Sequence, residues 1–530
     1  MTDGEAALHA KVEQLAASVE ALTADREHYR TLYLQALEQI RKLEVGIIGP
    51  KAERVPANGA QLTMSVLEML LGRAPTPEPP ASPQVVREHE RAKPTGRKLL
   101  PESLPRVEIE IVPPEVDREG RDAFEQIGAE VCETIERRPA SMVVVRVTRP
   151  KLVRRTRERN AETEVLVAAP PELPIERGLA GPGFLADTIV RRWQDHLPLH
   201  RLEEIYARDG LELARSTMCG WHQALEELVR PLVAAMWKDA RGAPYLCTDA
   251  TGVLVQAKDK CRRGHFWVVV APERHVLYAY SASHDGAAVD ELLADYEGYL
   301  VADAHSVYDH LFRTGKVVEV ACWAHARRYW WKALDSEPER ARSALAFIGE
   351  LFRIEREIAD LPARERLAAR QRDTRPVVDK FFAWCAAQAG TVLDDTPIAR
   401  AITYATNQRA ALERLLDDGR LPAHNNVSEN ALRRQVLGRR NWLFVGNDEA
   451  AEVNAAFVSL LASCRLHGIE PWAYLRDLFC ILPSWPASRV LELAPVHWRQ
   501  TREQPEAQQR LADNVFRRAV LSLSPHRDQK

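Results

Sequence analysis

The sequence predicts a mixed α/β core that is interrupted by a long helical insertion and preceded by a coiled coil and further helices. Three observations support this: β-rich segments between positions 245 and 321, helical patterns over most of the chain after Cys322, and an apolar heptad pattern at the start. A chain of 530 residues is too long for one compact core, so several domains are expected.

Residues 1–48 carry apolar side chains at alternating spacings of four and three residues, which is the seam of a coiled coil. About five heptads are long enough to pair two copies of the chain, so a homo-oligomer is expected. The alternative is one amphipathic helix that packs on its own protein. Only Arg26 and Ala36 interrupt the apolar positions, which are Leu8, Val12, Leu15, Val19, Leu22, Tyr29, Tyr33, Ile40 and Leu43.

The segment between the coiled coil and the core changes character twice. Residues 49–115 predict a short helix and a proline-rich, extended linker. Residues 181–240 are helical, and Ser216 and Thr217 are suited to cap the second of two helices there. The two helices are typical of a helix–turn–helix, a unit that either contacts DNA or only packs.

Residues 241–335 change from helical to β-rich character. Three strand candidates follow at hairpin-like spacing and two more are separated by helical sequence, which predicts a mixed sheet. The candidate strands are 245–256, 266–270, 276–280, 298–301 and 317–321, and the candidate helix is 285–296. The remaining chain is predicted to form a helical insertion at 336–423, the last part of the core at 424–465 and a helical tail at 466–530.

Two aspartates belong to strands of this predicted sheet. Asp249 lies within an otherwise neutral strand, and Asp303 follows the apolar strand at 298–301. A carboxylate in such a place is costly unless it is paired or bound to a cation. Because strand ends of an α/β sheet meet in one cleft, the two aspartates are expected to converge.

A third carboxylate, Glu429, lies in a basic segment. Asn426 or Ser428 can cap a helix that places Glu429 in its first turn, and Arg433 is four residues further along the same face. A capped helix with one ion pair is the structural interpretation. It leaves unexplained the four arginines and one glutamate between positions 424 and 446, a local charge of +3, with Trp442 and Phe444 between them. Such a pattern is typical of a surface that follows a nucleic-acid backbone.

Three carboxylates predict two bound divalent cations, Mg²⁺ or Mn²⁺, because these ions prefer oxygen ligands. Two ions about 3.5–4 Å apart can activate a hydroxyl and stabilise the leaving oxygen of a phosphoryl transfer. Water as the attacking group cuts a DNA strand, whereas a DNA 3′-hydroxyl joins two strands.

Composition excludes several other classes. The eight cysteines are scattered without a Cys-x-x-Cys pair, so neither a disulfide framework nor a zinc site is expected. The polar N-terminus and the absence of long apolar runs predict neither a signal peptide nor a membrane span, and hence a cytoplasmic protein. A net charge of −3 decides nothing, because nucleic-acid binding depends on local clusters.

Several motifs, taken in order, resemble the insertion-sequence-66 family of bacterial DDE transposases over nearly the whole chain. The most distinctive are the segments that contain Cys322 and Trp442. The motifs are 49–54 (GPKAER), 96–106 (GRKLLPESLPR), 195–201 (DHLPLHR), 213–217 (LARST), 322–328 (CWAHARR), 438–444 (GRRNWLF) and 467–475 (HGIEPWAYL).

The resemblance implies an RNase H-like catalytic core, two-metal chemistry and binding of the terminal inverted repeats of an insertion sequence. The family's catalytic triad falls on Asp249, Asp303 and Glu429, and Cys322, His325 and Asn426 are expected to support it. Double-stranded DNA, both element ends and target, is the implied partner in the bacterial nucleoid, and small accessory proteins of the element are possible partners. The expected DNA contacts are Ser216, Thr217, Arg327, Arg328, Arg433, Arg434, Arg439, Arg440 and Trp442.

The chain departs from the family pattern before the helix–turn–helix. Members of the family commonly carry a cysteine-based zinc module there, whereas residues 116–180 contain only Cys132, so a degenerate zinc-ribbon-like module without zinc is expected. His424 also replaces a commoner aspartate. Two alternatives to a transposase stay open: a catalytically inactive or domesticated DNA-binding regulator, and a stand-alone metal-dependent nuclease.

Overall fold

A computed structural model describes residues 100, 102, 104–138, 141–154, 165–258 and 260–522. The predicted coiled coil at 1–48 and most of the predicted linker at 49–115 lie outside the described residues. The described chain is a mixed α/β protein with two sheets and many helices. None of its described helices is both long enough and apolar enough to cross a membrane.

The first sheet is built around a long hairpin. Its strands are β1 (Arg106–Glu110), β2 (Phe124–Arg138), β3 (Ser141–Arg154) and β4 (Val165–Leu166), with a short helix α1 (Pro114–Glu119) after β1. β3 pairs antiparallel with β2 and β4 and parallel with β1. The valine-rich segment 141–147 forms the first half of β3, which continues to Arg154.

Both faces of β3 are buried, which explains its unbroken run of valines. Val144 faces the main core, whereas Val143, Val145 and Val147 face a smaller cluster that contains the buried Phe516 of the last described helix. Alternate residues of a strand point to opposite faces, so a strand covered on both sides is apolar throughout. Apolar packing by the C-terminal segment thus stabilises this sheet.

Three helices connect the two sheets: α2 (Pro182–Ile189), α3 (Leu199–Arg208) and α4 (Arg215–Ala240). The predicted capping role of Ser216 and Thr217 is wrong, because Ala214 is the N-cap and both residues lie exposed in the first turn of α4. α4 has 26 residues, and one face of it is fully buried in the main core. The apolar face of α4 therefore packs as a core helix.

The second sheet has five strands in the order β7-β6-β5-β8-β9. The first three strands in sequence form an antiparallel meander, and β8 and β9 add parallel to β5. The predicted strands are confirmed with small shifts of their ends, and the predicted helix at 285–296 is shorter. The elements are β5 (Tyr245–Val255), β6 (Arg262–Ala271), β7 (His275–Ser281), α5 (Gly286–Leu292), β8 (Gly298–Ala302), α6 (Asp309–Phe312) and β9 (Val317–Ala321).

Helices fill the chain after β9, as predicted. One group has its own apolar core around Trp323, Trp330 and Phe381. This group comprises α7 (Trp323–Lys332), α8 (Pro338–Glu357), α9 (Ala363–Ala369), α10 (Arg375–Ala389), α11 (Pro397–Asn407) and α12 (Arg409–Glu413). The helices that follow are α13 (Asn426–Trp442), α14 (Asp448–Leu466), α15 (Pro471–Ile481), α16 (Pro495–Glu503), α17 (Pro505–Asp513) and α18 (Val515–Ser522).

Helix α14 covers the edge of the five-stranded sheet that β7 forms. The Ser463 hydroxyl accepts a hydrogen bond from the Val276 backbone N–H at 3.1 Å, and the Ser459 hydroxyl accepts one from Tyr278 N–H at 2.7 Å. The two serines are four residues apart and thus share a helix face. They satisfy edge groups of β7 that would otherwise be available for pairing with another chain.

Candidate active site

Asp249 and Asp303 occupy equivalent positions on neighbouring parallel strands. Cys247 of β5 lies opposite Val301 of β8, and each aspartate is two residues further along its strand direction. Adjacent strands are about 4.8 Å apart, and a step of two residues returns to the same face. The register therefore brings the two aspartates together at the carboxyl edge of the sheet, as their sequence positions predict.

The start of α13 is tied to the strand that carries Asp249. The Asn425 side-chain amide donates to the Thr248 carbonyl at 2.8 Å, and the Ser428 hydroxyl donates to the Asn425 side-chain oxygen at 2.5 Å. Asn425 and Ser428 are fully buried. Since Thr248 directly precedes Asp249, these bonds fix the first turn of α13, and with it Glu429, beside the aspartates.

The predicted capping and supporting role therefore belongs to a neighbouring residue. Asn425 is the N-cap of α13, while Asn426 is the first helical residue and is exposed. Asn425 forms no side-chain capping bond, because its amide is used to hold β5. Two consecutive asparagines look alike in a sequence, and a shift of one residue decides which is buried.

Glu429 lies in the first turn of α13 and contacts the helix that follows β9. Its Oε1 is 3.5 Å from His325 Nε2 and 3.9 Å from Arg328 Nη2. The predicted ion pair with Arg433 is replaced by these two contacts, and Arg433 is exposed. His325 thus lies beside the predicted triad, as the sequence predicts.

Cys322 joins the end of β9 to the start of α13. Its Sγ accepts a hydrogen bond from the Asn425 backbone N–H at 3.1 Å, and the side chain is fully buried. Burial raises the pKa of the Cys322 thiol, so the group stays protonated. Cys322 therefore positions Asn425 through this weak sulfur hydrogen bond. In the neighbouring His325, burial and the nearby Arg328 cation lower the pKa of the imidazole.

The three carboxyl groups influence one another electrostatically. Burial raises the pKa of Asp249 to about 7, and the nearby charges of Asp303 and Glu429 add to the shift. The Asp249 carboxylate accepts a hydrogen bond from the Ala250 backbone N–H at 2.8 Å. Carboxylates that lie close together and accept few hydrogen bonds repel one another, and a bound divalent cation relieves this repulsion. The ligand atoms that these side chains offer are all oxygen, which suits such a cation.

The carboxylates do not form a preassembled cage. Within the described part of the chain, no group of three or more His, Cys, Asp or Glu side chains has the arrangement that would hold a metal ion. Glu429 is turned toward His325 and Arg328 instead.

An aromatic stack beside Asp303 was not predicted. The His284 ring stacks on Trp267 at a centroid distance of 4.7 Å and an interplanar angle of 9°. The rings of His265 and His305 each lie 4.8 Å from that of His284. Trp267 is buried, while His305 is exposed. These histidines are far apart in sequence, so only the folded sheet reveals the cluster.

Some of the predicted DNA-contacting residues of α13 are exposed, whereas others are held by contacts within the protein. Arg433 and Arg440 are exposed, whereas Arg434 donates to the Gln194 side chain at 2.6 Å. Arg439 is half-buried, and burial lowers its pKa, with further lowering by Arg440 and Arg263. Arg263 of β6 was not predicted, and it extends this cationic group.

Trp442 does not belong to the exposed surface, which corrects its predicted role as a DNA contact. The side chain is 8% exposed and belongs to the main core, and Gly438 leaves room for its ring. Arg327 and Arg328 on α7 are exposed, as a contact role would require. An aromatic residue between arginines has the same sequence pattern whether it is buried or exposed.

Comparison with known proteins gives three family matches. The model described as Transposase IS66 family matches residues 177–453, and that described as IS66 C-terminal element matches residues 459–496. A third, described as Transposase C of IS166 homeodomain, matches residues 35–109. The first match contains Asp249, Asp303 and Glu429.

Similar proteins occur in Sinorhizobium fredii (strain NBRC 101917 / NGR234), where they are described as uncharacterized. The protein y4hP is 29% identical over 88% of this chain and 89% of its own length. The protein y4qI is 30% identical over 77% of this chain and 78% of its own. The protein y4jD is 27% identical over 91% and 98%, respectively.

Proposed function

The chain belongs to the IS66 family of transposases, and we propose that it is a DDE-type transposase whose catalytic carboxylates are Asp249, Asp303 and Glu429. Its substrate is the double-stranded DNA of an insertion sequence, cut at the terminal inverted repeats and joined to target DNA. The observation that carries the proposal is that the parallel register of β5 and β8 places Asp249 beside Asp303, while Asn425 ties the helix that carries Glu429 to β5.

We also propose that the five-stranded sheet and its helices are an RNase H-like core. The order β7-β6-β5-β8-β9, with an antiparallel meander and two added parallel strands, supports this assignment. Asp249 on the central strand, Asp303 after its parallel neighbour and Glu429 on a helix packed against the sheet agree with it. Pairing of two copies through residues 1–48 and a role for small accessory proteins of the element are further proposals.

The proposed cofactors are two Mg²⁺ or Mn²⁺ ions held by the three carboxylates. When bound, such ions supply activation of the attacking hydroxyl and stabilisation of the leaving oxygen. Asp249 and Asp303 contribute oxygen ligands from neighbouring strands. Asn425 and Ser428 fix the helix that supplies the third carboxylate, while His325 and Arg328 hold Glu429 until a cation competes for it.

The test uses the full chain and DNA that carries the ends of the element that encodes it. Wild-type protein with Mg²⁺ should nick this DNA and, with target DNA added, produce joined strands. Asp249→Ala should bind the same DNA with unchanged affinity and leave it intact. Asp290→Ala, which removes an exposed carboxylate on α5, is the matched control and should cut normally. Normal cleavage by Asp249→Ala would refute the assignment.

A DNA-binding regulator is the second candidate. The observation that favours it is the pairing of Glu429 with His325 and Arg328, without a three-ligand metal group among the described residues. Sequence-specific binding without any metal-dependent cutting by the wild-type chain would establish the regulator. Cutting without strand joining would identify a stand-alone nuclease.

A further inference from the structure

A groove lies between the start of α13 and the helices that follow β9. Its volume is about 790 Å³, within the range of sites that hold a ligand. The charged side chains in its lining are five arginines and one glutamate. They are Arg327, Arg356, Arg366, Arg370, Arg420 and Glu355. We name this feature the insertion groove.

Three of the arginines that line the insertion groove are held by contacts within the protein. Arg370 is 1% exposed and donates to both carboxylate oxygens of Glu355, and Arg420 pairs with Asp418. Arg366 donates to the backbone carbonyls of Ala359 and Leu361. Because backbone carbonyls carry no net charge, the positive charge of Arg366 is not neutralised. This part of the lining therefore keeps a net positive charge.

The other two arginines, Arg327 and Arg356, are exposed and available. Arg327 lies over the Trp331 ring at 5.7 Å, and no described carboxylate pairs with either guanidinium. By contrast, Arg353, on the same helix as Arg356, contacts Glu350 and Glu357 at 2.6 and 2.5 Å. A guanidinium presents a planar fork of donors that fits a phosphate group.

The insertion groove begins beside the proposed catalytic carboxylates. Asn426, the first residue of α13, lines it three positions before Glu429. The N-terminus of this 17-residue helix adds partial positive charge to the arginines. Arg327 lines the groove, while its neighbour Arg328 approaches Glu429 at 3.9 Å. A strand whose phosphate lies at the carboxylates can therefore continue into the groove.

We propose that the insertion groove binds the phosphate backbone of the DNA strand that extends from the cutting site, through Arg327 and Arg356. This inference rests on the proposed function and makes the helical insertion a DNA-binding element. Phe352 and His424, whose rings lie 6.2 Å apart at the groove, offer aromatic surface to the attached base. The adjacency of the carboxylates favours DNA over an acidic protein segment as the occupant.

The test compares Arg356→Ala with the matched control Arg353→Ala, which changes the same helix at a paired arginine. Binding of element-end DNA to the full chain is measured over a series of salt concentrations without divalent cations. Arg356→Ala should bind about tenfold more weakly, since one charge-assisted contact is lost. The slope of log K against log salt should fall by about 0.7–0.9, the value for one phosphate. Arg353→Ala should match the wild type, and Arg356→Lys should keep the wild-type slope.

The outcomes show whether the groove proposal fails alone or together with the transposase proposal. If the wild type binds and cuts the DNA but Arg356→Ala leaves affinity and slope unchanged, the groove proposal is wrong and the transposase proposal stands. If the wild type neither binds nor cuts, both are wrong. Poly-glutamate of equal charge should compete poorly for the DNA site; if it displaces the DNA from wild type but not from Arg356→Ala, the occupant is an acidic protein segment.

Discussion

Asp249 is held where its ionised form is disfavoured. Its pKa is raised from 3.8 to about 7 by burial and by the charges of Asp303 and Glu429. The folded chain therefore binds this proton more tightly than the unfolded chain. The resulting penalty is absent below about pH 4, grows as the pH rises toward 7 and is complete above that value. Asp249, a proposed cation ligand, thus costs stability when its carboxylate is ionised and unpaired.

Asp249→Asn should consequently stabilise the fold at about pH 8 while it abolishes DNA cutting. A shift of about three units corresponds to at most ~4 kcal/mol, and a gain of ~2–4 kcal/mol in the free energy of unfolding is expected. Urea unfolding of both proteins at about pH 4 and pH 8 measures it. An equal difference at both pH values would show that the Asp249 carboxyl group is not perturbed.

At the scale of residues, the sequence allowed the positions of the aspartates to be predicted, but not all of their neighbours. A carboxylate in an apolar strand stands out because its burial is costly. His284 and His305 carry no such signal, since a single histidine is common on any surface. Trp442 was assigned to the wrong side of α13, because its burial depends on the space that Gly438 leaves.

At the scale of elements, the start of α13 decides where Glu429 lies. Asn425 connects this helix to β5 and to Cys322 at the end of β9. The strands were predictable to within a few residues because their β-branched and aromatic runs are bounded by turns. The start of α13 was not, since Asn426 and Ser428 are good caps by type, whereas the N-cap is Asn425, whose amide donates to the Thr248 carbonyl.

Asn425→Ala should destabilise the chain by about 1–3 kcal/mol, because the buried Thr248 carbonyl and Ser428 hydroxyl each lose a hydrogen bond to the Asn425 side chain. Displacement of Glu429 should also slow DNA cutting by about 10–100-fold, as small errors of catalytic geometry do. Asn426→Ala, at the next and exposed position, should leave the free energy of unfolding unchanged. Thermal unfolding and single-turnover cutting measure the two effects. Equal effects of both substitutions would contradict the assigned role of Asn425.

At the scale of the whole molecule, the C-terminal segment packs against the first sheet of the described chain. Phe516 of α18 is fully buried against Val143, Val145 and Val147 of β3. This contact joins positions more than 360 residues apart, since 516 − 147 = 369. Apolar faces at both places are visible in the sequence, but nothing in it identifies them as partners. The packing of the tail against β3 could therefore not be predicted from the sequence.

Phe516→Ala should destabilise this sheet by about 3–5 kcal/mol, through lost burial and an unfilled cavity. The exposed Arg518 on the same helix provides the control Arg518→Ala, which should be neutral. Hydrogen exchange of the β3 amides reports the effect locally. Faster exchange in β3, with the five-stranded sheet protected as before, is the expected result. Unchanged β3 exchange would mean that the tail does not support the sheet.

The helical segment between β9 and α13 also affects when the three carboxylates are synthesised relative to one another. Glu429 follows Asp303 by 126 residues (429 − 303), and most of them belong to this segment. At about 5–20 residues per second, the ribosome adds Glu429 roughly 6–25 s after Asp303. A nascent chain therefore carries both aspartates well before it carries the glutamate. Premature termination within this interval would leave two of the three proposed catalytic carboxylates, so under the proposed function the insertion delays completion of the catalytic set.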